Sequence, residues 1–180
     1  MIFQKTKINN EMCGKSQNLI KSIERILTNN FDIKNDFEYD GIKFELFAES
    51  HVRNIQNFLT NKDIVESFDN NEYIFVKLFA GSKDELKSLI EKLLSAEKKL
   101  VKPGPNHMFS FITLILILAD STDKDEIEKY VKSFKFSKVY RLYLYGWFEF
   151  RIAVINIENG ELTLNPAAKP LKKFFKSLSL

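Results

Sequence analysis

At 180 residues the chain has the length of one domain, and 44% hydrophobic residues, 17 of them Phe, give it enough apolar surface for its own core and exclude disorder. A single cysteine, Cys13, excludes an internal disulfide and a cysteine-based zinc cluster. The net charge of +3 sits at one end: residues 161–180 carry Lys169, Lys172, Lys173 and Lys176 against Glu161, whereas residues 1–160 hold 23 basic and 23 acidic residues and lack a nucleic-acid charge signature.

The chain starts Met-Ile-Phe-Gln-Lys-Thr-Lys, with no apolar run behind it to serve as a signal peptide. Residues 1–15 show no clear period and read as a loosely ordered lead-in. Ser16 then caps a helix with an apolar face of Leu19, Ile20, Ile23, Ile26 and Leu27. Asp40-Gly41 is a two-residue hairpin signal. It pairs Tyr39 with Ile42, Phe37 with Phe44 and Ile33 with Ala48 on one buried face, leaving Lys34, Asp36, Glu45 and Glu49 on a wet face. Residues 50–62 read as a loop or short helix. A second hairpin is predicted from Ile64–Phe68, a turn at Asn70-Asn71, and a central strand Tyr73–Phe79.

Ser82-Lys-Asp-Glu85 is a capping box, opening a helix that Pro103-Gly-Pro105 stops. Met108–Leu118 reads as a buried central strand. It is the longest apolar run, and it falls short of the roughly 20 residues that cross a bilayer. Asp120-Ser-Thr-Asp123 caps a short helix. Strands at about 138–145 and 147–157 follow, then the hairpin signal Asn159-Gly160, a strand at Leu162–Leu164, and a last helix after Pro166 or Pro170. The expected fold is α+β: a single domain over residues 1–180, with a largely antiparallel sheet built from hairpins and about four packed helices.

Much chemistry is excluded. The six glycines are scattered, so neither a dinucleotide fingerprint nor a phosphate-binding P-loop exists. The two histidines, His51 and His107, lack metal-ligand spacing, and no metal site or cofactor is expected. Asp120, Asp123 and Asp125 lack the Gly and Glu of a calcium loop. A restriction-endonuclease-like core is the alternative fold. Its active site needs Glu and Lys on one strand face, but Glu72 and Lys77 are five apart and face opposite ways. That alternative is therefore a core lacking the active site.

The aromatic stretch 140–157 holds the only Trp. It packs as sheet core, or it presents Arg141, Tyr143, Trp147, Glu149 and Arg151 as a surface that stacks and holds phosphates. A one-residue choice at Gly146 (turn or bulge) decides the facing. The C-terminal helix sets Leu171, Phe174, Phe175 and Leu178 against Lys172, Lys173 and Lys176.

Three stretches together resemble an uncharacterised family of small prokaryotic proteins, a domain of unknown function. They are Asp40-Gly-Ile-Lys-Phe-Glu-Leu-Phe-Ala48 with Asn71-Glu-Tyr-Ile-Phe-Val-Lys77; Leu100-Val-Lys-Pro-Gly-Pro-Asn-His-Met108; and Tyr145-Gly-Trp-Phe-Glu-Phe-Arg151 running on to Asn165. The resemblance implies no activity and carries no catalytic residue. The expectation is a soluble cytoplasmic protein without a membrane segment, acting as a non-catalytic binding module. Its contact surface is residues 141–151 with the basic C-terminal helix, its partner anionic, nucleic acid included. The alternative is an enzyme with His107 as general acid/base. Homo-oligomer assembly through an apolar face is a third reading.

Overall fold

The computed structural model describes residues 2–57, 64–119 and 123–178, with side chains described for 14–53, 68–119 and 123–178. In chain order the elements are α1 (Ile2–Leu27), β1 (Asp32–Tyr39), β2 (Ile42–Asn57), β3 (Ile64–Phe79), α2 (Lys83–Leu100), β4 (His107–Leu118), α3 (Lys124–Ser133), β5 (Ser137–Val139), β6 (Trp147–Asn156) and β7 (Leu162–Leu164). A 3-10 turn (Pro166–Leu171) and α4 (Lys172–Lys176) end the chain.

The strands form one sheet of order β1-β2-β3-β4-β6-β5, with β7 also on β6. Four of the strand pairs are antiparallel; β3–β4 and β4–β6, at the centre, are parallel. Each parallel step needs a crossover helix, and crossovers of one hand running the same way across a sheet fall on one face. So α2 and α3 share a face, with Leu86, Ile90, Leu93, Ile127 and Val131 against Phe75, Leu114, Phe150 and Ile152. The other face is closed by α1 and α4, with Leu19, Ile23, Leu27 and Phe175 against Val76, Ile115, Ala153 and Ile155. The domain is a three-layer α+β sandwich in which β4 is buried on both faces, as its unbroken apolar run implied.

Several local expectations hold. Asp40 and Gly41 both take positive φ (51° and 74°), as a primed hairpin turn requires, and the first hairpin has the predicted register. Ser82 caps α2 by accepting from the Glu85 amide. Lys77 and Glu72 face opposite layers, as their spacing demanded.

Others are corrected. The first hairpin is not wet on one side. Phe37 and Phe44 pack in the α2 layer, but Ile33, Leu46 and Ala48 pack in the α1 layer. The facing switches at Asp36, whose φ is 50°, opposite Glu45. There the β2–β3 ladder ends, and side chains take over: the Glu45 carboxylate accepts from the Leu78 amide at 2.7 Å, and Lys77 Nζ donates to the Lys43 carbonyl at 2.7 Å. Asn70-Asn71 is no turn. β3 runs straight through it, paired with β2, which itself continues to Asn57 in place of the expected loop. Arg53 and Asp69, directly opposite, hold this ribbon with a two-pronged ion pair (2.6 and 3.1 Å). Ser16 does not open a helix. It lies buried within α1, which begins at Ile2 where a loose lead-in was expected, because each residue added to a formed helix gains a backbone bond. Asp120, Ser121 and Thr122 lie outside the described residues; Asp123 accepts from the Lys83 amide at the start of α2. Finally, 140–145 is not a strand: β5 stops at Val139 and a seven-residue loop leads to β6.

Candidate functional site

Polar groups gather near the amino-terminal ends of the parallel strands β3, β4 and β6, in one set on each face of the sheet.

On the α2 face the set is a hydrogen-bonded chain. Asp69 pairs with His107, but Asn70 already pairs with Phe109, so Met108 is an extra residue in β4. This bulge turns His107 to the face of Ser110. His107 Nδ1 stands 2.7 Å from the Tyr145 carbonyl, which can only accept, so that nitrogen carries the proton and donates. In the neutral ring Nε2 then accepts from Ser110 Oγ at 2.8 Å. Asn71 Nδ2 donates to the same Oγ at 3.3 Å, and His51 Nδ1 lies 2.7 Å from Asn71 Oδ1. Both histidines are thus joined through Asn71 and Ser110. The outer end opens on a groove of about 460 Å³ lined by His51, Arg53, Asp69, Asn71, Tyr73 and Lys102. The inner end is sealed: Ser110 is 0% and His107 6% exposed. Tyr73 closes the groove floor by donating to the Leu100 carbonyl at 2.9 Å, and burial, with Glu49 near, pushes its phenol up to about 12.

The loop over His107 has an unusual backbone. Arg141, Leu142 and Tyr143 take φ of 44°, 51° and 70°, three consecutive non-glycine residues in the left-handed region. Bonds from Tyr140 N to Gly146 O and from Tyr145 N to Tyr140 O close its neck. Tyr140 donates to Glu97 of α2, which also accepts from Lys138 at 3.0 Å, and burial and that carboxylate raise the Tyr140 phenol well above its ordinary value. Arg141 lies over the Tyr145 ring at 4.6 Å. Gly146 has φ of 76°, and a Cβ there would sit 2.5 Å from His107 Nδ1. The tip is left in solvent: Leu142, Tyr143 and Leu144 are 90%, 69% and 73% exposed.

On the α1 face the set is not bonded together. Trp147, Glu149 and Arg151 of β6 lie there beside Phe109, Phe111 and Thr113 of β4. Trp147 packs against Phe109 and Phe111 (centroids 5.9 and 5.2 Å). Arg151 is buried, with its guanidinium carbon 3.3 Å from the Phe111 ring centroid. Burial lowers its pKa, against the opposing pull of Glu72 and Glu149. Burial raises the Glu72 carboxyl, and Arg151 partly offsets it.

The expected surface is therefore divided. Arg141 and Tyr143 project at the loop, Trp147 and Glu149 are half-buried on the α1 face, and Arg151 is inside. Lys172, Lys173 and Lys176 are exposed on α4, in the layer opposite α2. Sequence reasoning missed Asn71, read as a turn, and Leu142 and Leu144, read as a strand. Among the described residues no three His, Cys, Asp or Glu side chains come together, and no helix is long and apolar enough to cross a membrane.

A family model, described as a domain of unknown function (DUF8052), matches residues 15–177. The chain belongs to that family. No curated protein and no solved structure matches it.

Proposed function

We propose that this chain is a non-catalytic interaction module that engages an acidic partner protein through the 141–144 loop and the adjoining edge strand β5. The single cysteine and the prokaryotic family it resembles favour the cytoplasm of a prokaryotic cell as its place. The observation that carries the reading is the loop tip. Three successive left-handed residues cost about 1–3 kcal/mol each, and they hold Leu142, Tyr143 and Leu144 out of the core rather than in it. Apolar exposure continues at Phe136, just before β5, and at Val139 within it. Basic residues interleave with it: Lys129, Lys135 and Arg141, with Lys132 and Lys138 paired to Glu128 and Glu97, and no acidic residue lies from 129 to 148. Such a rim steers an acidic partner toward an apolar anchor.

Capture from source cells tests this with three baits: wild type, L142D/Y143S/L144D, and K172E/K173E/K176E. A partner held by the first and third and lost by the second supports the loop. An unchanged set with the loop variant overturns it, as does a nucleic acid released by salt and by the α4 variant.

One observation favours the enzyme reading: Ser110, His107 and the Tyr145 carbonyl have the spacing of a nucleophile, base and orienting acceptor. Burial of both side chains weighs against it. A fluorophosphonate probe that labels Ser110 in the folded protein would establish it; intact mass without adduct is the expected result.

A further inference from the structure

The sheet ends in β1 on one side and β5 on the other, and the two edges are guarded differently. An open edge presents unpaired N–H and C=O groups, which proteins shield with outward charges, kinks or proline. β1 carries Asp32, Asp36 and Glu38, and the positive φ of Asp36 breaks its line. β5 carries one charge, Lys138, and that ammonium is turned onto Glu97 at 3.0 Å.

The register identifies the groups of β5 that are left over. Phe136 accepts from the Phe150 amide, and Tyr140 donates to the Gly146 carbonyl. Bonds to a neighbour fall on every second residue of an antiparallel ladder. Lys138 shares that set, so the N–H and C=O groups of Ser137 and Val139 point away from β6. Those groups make no hydrogen bond among the described residues. Two residues apart along one edge, they have the spacing that a further strand bonds. At the amino-terminal end of the same edge lies a groove of about 240 Å³, lined by Lys135, Phe136, Ser137, Glu149, Pro166 and Ala167. Strand addition takes affinity from main-chain bonds and selectivity from such side-chain pockets.

We propose that an extended segment of the acidic partner pairs with the outer edge of β5 as an added strand and sets an apolar side chain against Phe136, Pro166 and Ala167. This mode of binding rests on the interaction reading above. Charge selects the occupant: Lys135 and Arg141 bracket the strand and close no ion pair among the described residues. An acidic segment answers both, whereas β5 of a second copy would set like charge against like.

Selection of a displayed library of random dodecapeptides on the full chain supplies the probe, and anisotropy of the tightest peptide, synthesised with a fluorophore, measures it. The peptide should be acidic and free of central proline. Methylating its backbone nitrogens one at a time should weaken binding about tenfold at alternate positions and little between them. V139P removes an outward N–H and no bond to β6, a place where an edge strand tolerates proline, and should weaken binding by about tenfold or more. The methyl scan needs no variant and decides the matter even if V139P does not fold. No alternation in the scan, or a peptide held undiminished by V139P, overturns the proposal. So does a wild-type chain that light scattering shows to dimerise while V139P stays monomeric, which would give the edge to a second copy. A peptide lost by L142D/Y143S/L144D but held by V139P overturns strand pairing and leaves the loop reading standing. One lost by V139P alone supports strand pairing and counts against the loop.

Discussion

His107 and Arg151 lie on opposite faces of the same central strands and are buried almost equally, at 6% and 8% exposure. Their surroundings differ in kind. Both nitrogens of His107 are engaged, by the Tyr145 carbonyl and by Ser110, and a glycine gives the covering loop room to approach. Arg151 has an aromatic ring beneath it, two carboxylates in electrostatic range, and no hydrogen bond among the described residues. Satisfied buried polar groups fix a structure; unsatisfied ones in native proteins call for a ligand, an ion or water. The α2 face is thus tied to the loop by hydrogen bonds, whereas Arg151 on the α1 face rests on an aromatic ring with its Nε unpartnered. Substitutions on the first face should therefore cost stability, and those on the second should not.

The largest effect belongs to Gly146. Alanine there meets both a positive φ and three atoms of His107 and Met108 within 2.6 Å, two of them backbone. G146A should lose about 3 kcal/mol or more by urea denaturation, since strain and overpacking add. A loss under about 1 kcal/mol would mean that the loop lifts freely from His107, and the contrast between the faces would weaken. Next comes Ser110→Ala. It strands the buried His107 Nε2 and removes the acceptor of Asn71 Nδ2, so a loss of about 1–3 kcal/mol is expected. A neutral S110A would show the chain of bonds to be incidental.

Why the sequence showed one of these sites and hid both their contexts follows from distance along the chain. Periodicity, capping and hairpin chemistry act over a few residues, so the Asp40-Gly41 register, the Ser82 cap and the buried β4 were all legible. Asn71 was not, because Asn-Asn signals a turn locally, and its partners His51 and Ser110 lie 20 and 39 residues away. The tip of the 140–146 loop was hidden for the opposite reason. Arg-Leu-Tyr-Leu-Tyr has the alternation and composition of a strand, and its left-handed turn uses no Gly or Pro before Gly146. Arg151 was singled out as a surface residue. That its side chain enters the interior depends on β6 pairing in parallel with β4, a long-range fact.

Arg151→Met sharpens the comparison from the other side. Methionine keeps most of the volume over Phe111 and removes an unbonded charge, so stability should change by no more than about 1 kcal/mol, and a gain is the favoured sign. A loss above about 2 kcal/mol, as for breaking a joined buried pair, would place Arg151 in the same class as His107.

The smallest effect is a slope. Burial holds the Glu72 carboxyl above its ordinary 4.5, so the folded chain keeps this proton more tightly than the unfolded chain does. Its contribution is fully present below the ordinary glutamate range and is lost as pH rises through the raised native value. Glu72→Gln cannot titrate. The stability of wild type relative to E72Q should therefore fall as pH is raised from 4 toward neutrality, as read from urea midpoints at a series of pH values. A flat difference, or one that rises with pH, would mean that Arg151 outweighs burial and holds Glu72 as an anion. The two charges would then already serve one another.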